Sequence, residues 1–384
     1  MKTVKFAQVL KFSENLVKVD KPEEERYVTV LLYGRGVIER EIKEGKVPVA
    51  FTGYKAHAGQ LIISTINARN GAAGIIPAEL DGAVVSKDFP LFDIDHECVD
   101  EQYLLYYLWS DSFIHKAEQN SFGATMPRLH VKPFLNMQMR LPALSEQKRR
   151  AHTLCHVESL LNTQSHLLTK LDELVKSRFV EMFGLPGTDV HGWGMSSLGE
   201  ICEINPKKSQ DARLTNGLLV SFVPMPSVSE SGDIDATQVK PYDEVKTGFT
   251  YFAENDVLFA KITPCMENGK GAIATGLYNG IGFGSTEFHV LRPAKETATP
   301  RWIYTLTVFP QFRIDAASNM TGSAGQRRVP ASFLENYRVS VPPLELQNRF
   351  AAFVTEVDKS KLAVKQSLEK LETLKKSLMQ QYFG

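Results

Sequence analysis

The feature that most limits what this chain can fold into is an internal repeat at an offset of 200 residues. Residues 141–184 and 341–384 align without a gap, and 14 of the 44 positions are identical, among them Pro142/Pro342, Leu144/Leu344, Gln147/Gln347, Val157/Val357, Leu168/Leu368 and Leu171/Leu371. Both copies close on Phe-Gly, at 183–184 and 383–384. A chain of 384 residues suggests two or three domains. The repeat makes it two copies of one plan, each a mixed α/β block followed by a long helix.

Each repeated segment has the marks of a helix. Pro142 and Pro342 favour extended backbone before it. Glu146 and Glu345 place negative charge in the first turn, where the helix dipole favours it. Gly184 and Pro186 stop the first copy. The apolar positions keep a heptad register. In the first copy the inward positions are Leu154, Val157, Leu161, Gln164, Leu168, Leu171, Val175 and Arg178, with Leu160, Leu167 and Leu174 widening the stripe. In the second they are Val354, Val357, Lys361, Val364, Leu368, Leu371, Lys375 and Leu378. The shared register predicts paired helices, expected antiparallel because the chain must return across a second domain before the second helix begins. The polar inward positions Gln164, Arg178, Lys361 and Lys375 are expected where partner subunits or solvent reach them.

The blocks before the helices carry matching signals in the same order. Leu61–Ser64 and Val257–Ala260 read as strands. Each is followed by a polar glycine-containing segment (67–74, 263–272). Each then passes a turn dipeptide, Asp81-Gly82 or Asn279-Gly280, of the type that supports a hairpin. Strand-like Phe89–Phe92 and Phe288–Leu291 come next, then helix-like Tyr103–Trp109 and Trp302–Val308. Residues 205–217 and 226–240 read as loops.

Composition excludes several classes. Lys plus Arg and Asp plus Glu both number 44, so net charge gives no global reason for nucleic acid or membrane binding, although a local basic face is compatible with it. No apolar run approaches the ~20 residues of a membrane helix, and lysines break the first 18 residues, against a secretory signal. Cys98, Cys155, Cys202 and Cys265 lack the close spacing of a zinc or redox motif, which suits reduced thiols in the cytoplasm. No phosphate-binding loop motif occurs. The run Gly280-Ile281-Gly282-Phe283-Gly284 suits tight-turn sterics rather than a nucleotide or methyl-donor site. There is no Asn-Pro-Pro-aromatic tetrad, and Asn205-Pro206-Lys207-Lys208 is not one. His152 and His156 have helical metal spacing but no third ligand nearby, so no metal is expected. No nucleophile–base pair or carboxylate cluster nominates a catalytic residue.

What recurs instead is polar residues in glycine-bearing loops. The first block offers Arg35, Arg69, Asn70 and Arg128; the second offers Lys207, Lys208, Lys261, Asn268, Lys270, Arg327 and Arg328. Arg and Lys suit guanine edges or phosphates, and Asn suits adenine edges. Singly, each fits a solvated loop charge. Together they stand at related places: Asn70 matches Asn268, and Arg128 matches Arg327 just before a helix.

With this plan in view, the chain resembles the specificity subunit of type I restriction–modification systems. The stretches carrying the resemblance are STINARNGAAGIIP (64–77) with ELDG (79–82), MTGSAGQRRV (320–329), VPPLELQ (341–347) and LEKLETLKKSLM (368–379). The first copy departs from the pattern, with LPALSEQ at 141–147 lacking the second proline. The resemblance implies two target-recognition domains, at 1–143 and 185–342, and two antiparallel coiled-coil spacer helices, at 144–184 and 343–384. Each domain then binds one half of a bipartite, non-palindromic site on double-stranded DNA. The chain itself does no chemistry and carries no cofactor. Two modification subunits supply adenine methylation with S-adenosylmethionine, and restriction subunits use ATP and Mg. A helix of roughly 38 residues spans about 57 Å, which corresponds to half-site centres about 10–13 base pairs apart once domain overhang is allowed for. A self-contained DNA methyltransferase or nuclease, and a coiled-coil scaffold without DNA function, are the other readings that the sequence leaves open.

Overall fold

The computed structural model describes residues 2–42, 48–323 and 325–384. Met1, at the start of the expected first domain, and Ala324, within the 320–329 stretch, lie outside the described residues. The chain forms two units that interleave along the sequence: residues 1–165 with 365–384, and residues 166–364. Each unit therefore takes one end of each long helix, Leu144–Phe183 and Leu344–Phe383.

In the first unit, Lys2–Lys5 pairs antiparallel with Gln138–Leu141, so the strand that leads into the central helix is closed by the N-terminal one. A four-stranded antiparallel sheet follows the order Leu10–Phe12, Leu91–Ile94, Leu61–Ile63, Ala73–Ile75. Leu61, Ile62 and Ile63 are buried on both faces, which is why the stretch reads as a continuous apolar run rather than an alternation. Helix Glu101–Leu108 packs on this sheet, its first turn capped by Asp100, whose carboxylate accepts from the Tyr103 amide at 2.9 Å. Phe6, Phe92, Phe113 and Phe134 fill the core, with Phe6 stacked on Phe134 at 4.6 Å. Leu154 of the central helix and Phe383 of the C-terminal helix belong to the same core.

The second unit repeats the scheme. Met195–Ser197 pairs with Arg338–Ser340, and the four-stranded sheet runs Cys202–Ile204, Phe288–Pro293, Val257–Ala260, Gly271–Ile273. Helix Pro300–Val308 takes the place of Glu101–Leu108, capped by Thr299. Each unit adds sheet of its own. The first has a three-stranded sheet (Leu16–Val19, Phe51–Lys55, Val84–Ser86) and a hairpin (Val28–Val30 with Val37–Glu39). The second has a four-stranded sheet in which Leu219–Val223 runs parallel to Ile281–Gly284.

Three expectations change here. Neither Asp81-Gly82 nor Asn279-Gly280 closes a hairpin. The strands flanking each, Ala73–Ile75 and Val84–Ser86 or Gly271–Ile273 and Ile281–Gly284, belong to different sheets, so the turns carry the chain between sheets. Asn279 and Gly280 do have the positive φ that such dipeptides supply, 54° and 67°. In the 280–284 glycine run only Gly280 serves a turn. Gly282 lies in a strand crossed by the Phe252 ring, where a Cβ would sit 2.1 Å from a ring carbon. Leu160, Leu167 and Leu174 do not widen the helix stripe: they are exposed at 37%, 42% and 46%. A two-helix seam shelters only the inward heptad positions.

Those inward positions, from Leu154 to Arg178 and from Val354 to Leu378, are all buried or half-buried. Within each unit the two helices run antiparallel. In the first, Arg150 donates to the Tyr382 carbonyl at 3.2 Å and Glu158 pairs with Lys375 at 2.7 Å. In the second, Asp172 pairs with Lys361, and Phe179 packs on Phe350 at 5.6 Å. Lys361, Lys375 and Arg178 keep part of their side chains exposed, as expected of positions that solvent reaches. Their aliphatic stems line the seam and their charges are paired, Arg178 with Glu181 at 2.7 Å.

Candidate nucleic-acid interface

In the first unit the candidate residues come from two loops that are hydrogen-bonded together. Residues 31–36 close the hairpin, and residues 64–71 follow the strand Leu61–Ile63. The Tyr33 amide donates to the Asn70 carbonyl at 2.8 Å, and the Gly34 amide donates to the Gly71 carbonyl at 3.2 Å. This sets the Arg35 loop against Arg69 and Asn70. Gly34 lies under the Trp109 indole, where a Cβ would be 2.8 Å from the ring. Arg35 donates to the Leu32 carbonyl at 3.1 Å, and the Asn70 side chain to Asn67 at 3.3 Å. Arg128 joins the same region: Leu129 donates its amide to the Thr65 carbonyl at 2.9 Å, and Arg128 pairs with Asp88 at 3.1 Å.

In the second unit Lys261, Asn268 and Lys270 lie on the loop that follows Val257–Ala260. The Val329 amide donates to the Lys261 carbonyl at 2.9 Å and the Thr263 amide to the Arg327 carbonyl at 3.1 Å, which brings Arg327 and Arg328 to this loop. Arg327 pairs with Glu267 at 3.1 Å and Arg328 with Glu287 at 2.8 Å. The Asn268 side chain donates to Glu230 at 2.9 Å, and Lys270 to the Met225 carbonyl at 3.3 Å. Burial holds the Lys261 ammonium below its usual value, with Glu287 opposing.

Lys207 and Lys208 stand apart from that loop, and Lys208 donates to the Lys246 carbonyl. Asn205, two residues before Lys207, connects to the loop through one buried histidine. His289 is 6% exposed; its Nε2 lies 2.8 Å from the Val329 carbonyl and its Nδ1 3.1 Å from the Asn205 amide nitrogen. That pattern fits a neutral ring donating from Nε2 and accepting at Nδ1, and burial pushes its pKa down.

The structural partner of Arg128 is Arg328, not Arg327. Arg128 bridges Phe122 and Arg328 bridges Thr321, and each holds an acid on the facing segment, Asp88 or Glu287. Thr65 and Lys261 likewise occupy one position, each accepting the amide of the residue after its arginine. Asp88, Glu230, Glu267 and Glu287 were not readable as part of the site. Three of them lie roughly 40 residues from their partner in sequence, and no local spacing marks such pairs. Among the described residues, Arg69, Lys207 and Lys261 are the positively charged candidates whose side chains make neither an ion pair nor a hydrogen bond, whereas Arg35, Arg128, Lys208, Lys270, Arg327 and Arg328 each have a partner. Also among the described residues, no group of three His, Cys, Asp or Glu is placed to hold a metal, and no helix is long and apolar enough to cross a membrane.

The same scaffold carrying different loop residues occurs twice, and comparison with known proteins finds the same doubling. The family model for the Type I restriction modification DNA specificity domain matches residues 1–173 and again 191–374. The chain belongs to this family. It is 43% identical over 169 residues to the Type I restriction enzyme EcoAI specificity subunit of Escherichia coli, covering 43% of this chain and 28% of that protein. Over 161 residues it is 44% identical to the EcoEI specificity subunit of Escherichia coli, covering 41% of this chain and 26% of that one. The matched stretch thus spans less than a third of either relative. The S subunit of a type I restriction–modification system from M. genitalium has a similar fold, with a TM-score of 0.53 at 13% identity, covering 100% of this chain and 96% of that one. In each of the two specificity-domain repeats, the loop after the third strand in sheet order and the segment before the last short helix supply candidate contacts, joined by Arg35 in the first and by Lys207 and Lys208 in the second.

Proposed function

We propose that this chain is the DNA sequence-specificity subunit of a type I restriction–modification complex. Each repeat binds one half of a bipartite, non-palindromic site on double-stranded DNA. The observation that carries this reading is equivalence of position with difference of residue: the Arg128–Asp88 and Arg328–Glu287 pairs mark the same place in the two scaffolds, and beside them Thr65 stands against Lys261. Related scaffolds that present unlike side chains suit unlike half-sites, because a site mirrors the symmetry of what reads it.

The chain does no chemistry in this account. Two modification subunits supply methyl transfer with S-adenosylmethionine, and restriction subunits supply the ATP- and Mg-dependent step, all in the cytoplasm. The long helices dock the modification subunits and set the gap: each has 40 residues and so measures about 60 Å. The boundaries 1–143, 144–184, 185–342 and 343–384 divide reading from spacing.

The ion pairs that hold Arg128, Arg327 and Arg328 support a site of shaped loops more than one of bulk positive charge. Arg69 and Lys207 then serve phosphates, and Asn268 with Lys270 serves base edges. The test is selection from random duplexes by the full chain co-expressed with modification subunits. Two unlike motifs at a fixed gap are expected; a continuous palindrome, or no enrichment, overturns the reading.

A further inference from the structure

Four non-glycine residues among those described have positive φ: Tyr33 at 59°, Asn205 at 54°, Asn255 at 71° and Asn279 at 54°. Three are asparagines, whose short amide tolerates the left-handed region. Tyr33 is the exception. A bulky aromatic is strained there, and glycine would occupy the position freely. Among the described residues, no ring pair or side-chain hydrogen bond of Tyr33 offsets the strain. The side chain is 74% exposed, and among the described residues its ring pairs with no other ring and its hydroxyl makes no hydrogen bond.

The backbone that presents this ring is held firmly. Leu31 donates its amide to the Gly36 carbonyl at 2.9 Å, Tyr33 to Asn70 at 2.8 Å, and Gly34 to Gly71 at 3.2 Å. Gly34 is pinned under Trp109. Exposed Arg35 follows two residues later, and Arg69 precedes the residue that Tyr33 binds. A firmly held, exposed aromatic with two arginines in the loop segments joined to it suits duplex DNA, whose bases offer apolar edges beside the phosphates.

We infer that Tyr33 is a base-contacting residue of the first unit, its ring laid against base edges of that unit's half-site, with Arg35 and Arg69 toward the backbone phosphates. This assignment rests on the DNA-specificity reading above and names a residue outside the polar set that motif reading selects.

The test uses the full chain with its modification subunits, Tyr33→Gly and Tyr33→Phe, and selection from random duplexes followed by affinity measurement. Tyr33→Gly relieves the backbone strain, so its melting temperature is expected at or above the parent's. Its affinity for the parent's site is expected to fall about tenfold, as loss of one good base-edge contact does. One half-motif loses definition and the other is unchanged. Tyr33→Phe keeps the ring and retains both motifs. Tyr33→Gly that binds the parent's site as tightly as the parent overturns the assignment alone. So does an equal loss on unrelated duplexes, which marks a phosphate contact, or a loss of modification subunits without loss of DNA, which marks a protein contact. A parent complex that enriches no duplex overturns both this assignment and the DNA reading beneath it.

Discussion

Gln147 and Gln347, at the same place in the two long helices, make the same three side-chain hydrogen bonds. Gln147 Oε1 accepts from the Asp100 amide at 2.9 Å, and its Nε2 donates to the Cys98 and Pro142 carbonyls at 3.1 and 2.9 Å. Gln347 Oε1 accepts from the Thr299 amide at 2.8 Å, and its Nε2 donates to Thr297 and Pro342 at 2.9 and 2.8 Å. Both side chains are fully buried. Asp100 and Thr299 cap the helices Glu101–Leu108 and Pro300–Val308, so each glutamine ties the start of a long helix to the cap of the helix packed on its unit's sheet.

Gln147→Ala and Gln347→Ala should each cost about 2–3 kcal/mol, since each leaves a buried amide and two carbonyls short of a partner. Chemical denaturation of the full chain measures this. A change below about 0.5 kcal/mol, the scale of an ordinary surface substitution, would show that the network holds nothing together.

The helix seam makes a paired prediction. Leu154 is fully buried and Leu160 is 37% exposed. Leu154→Ala should cost about 2–5 kcal/mol, and Leu160→Ala about 0.5 kcal/mol or less. Similar losses at both positions would contradict the assigned helix face.

The repeat, the long helices and the sheet strands Leu61–Ile63 and Val257–Ala260 were legible because each rests on local signal: identity at a fixed offset, a heptad, a buried apolar run. The added sheets were not. Strands such as Val239–Pro241 are three residues long, too short for periodicity to register, and their pairing is decided by distant chain. Leu160, Leu167 and Leu174 misled because an apolar residue beside a seam looks the same in sequence as one inside it. The candidate contacts divide by the kind of signal that marks them. The cations could be named from type and loop context, while the acids that orient Arg128 and Arg328 could not. Arg327 was preferred to Arg328 as the match for Arg128 because neighbouring arginines are indistinguishable without the bridge to Thr321.

His289 gives the second unit an acid limit. Burial depresses its pKa in the fold below the ordinary 6.5, so the folded state binds its proton more weakly than the unfolded state. The stabilising contribution is therefore complete above about pH 6.5 and is lost as pH falls through the depressed folded value. Melting temperature measured from pH 7.5 to 5 should fall, and His289→Gln should flatten that part of the profile. A parent profile matching that of His289→Gln across this range would contradict the buried neutral ring.

Contacts to phosphate and to bases should separate under salt. Arg69→Gln should weaken binding to cognate and unrelated duplexes alike, and lower the slope of log affinity against log salt by about 0.9. Asn268→Ala should cost about 1–3 kcal/mol on the cognate half-site and leave the other half-motif intact. Loss of both half-motifs on changing Asn268 would contradict separate readers.

The central claim is that two unlike readers recognise one split site whose gap follows helix length. Inserting seven residues, one heptad, into both long helices keeps the seam in register and adds about 10 Å to each, near three base pairs of duplex. Motif selection by the parent and the lengthened complex measures it directly. The account predicts the same two half-motifs in both, with the gap longer by about three base pairs in the second. An unchanged gap between the same half-motifs, or a continuous motif in the parent, would contradict it.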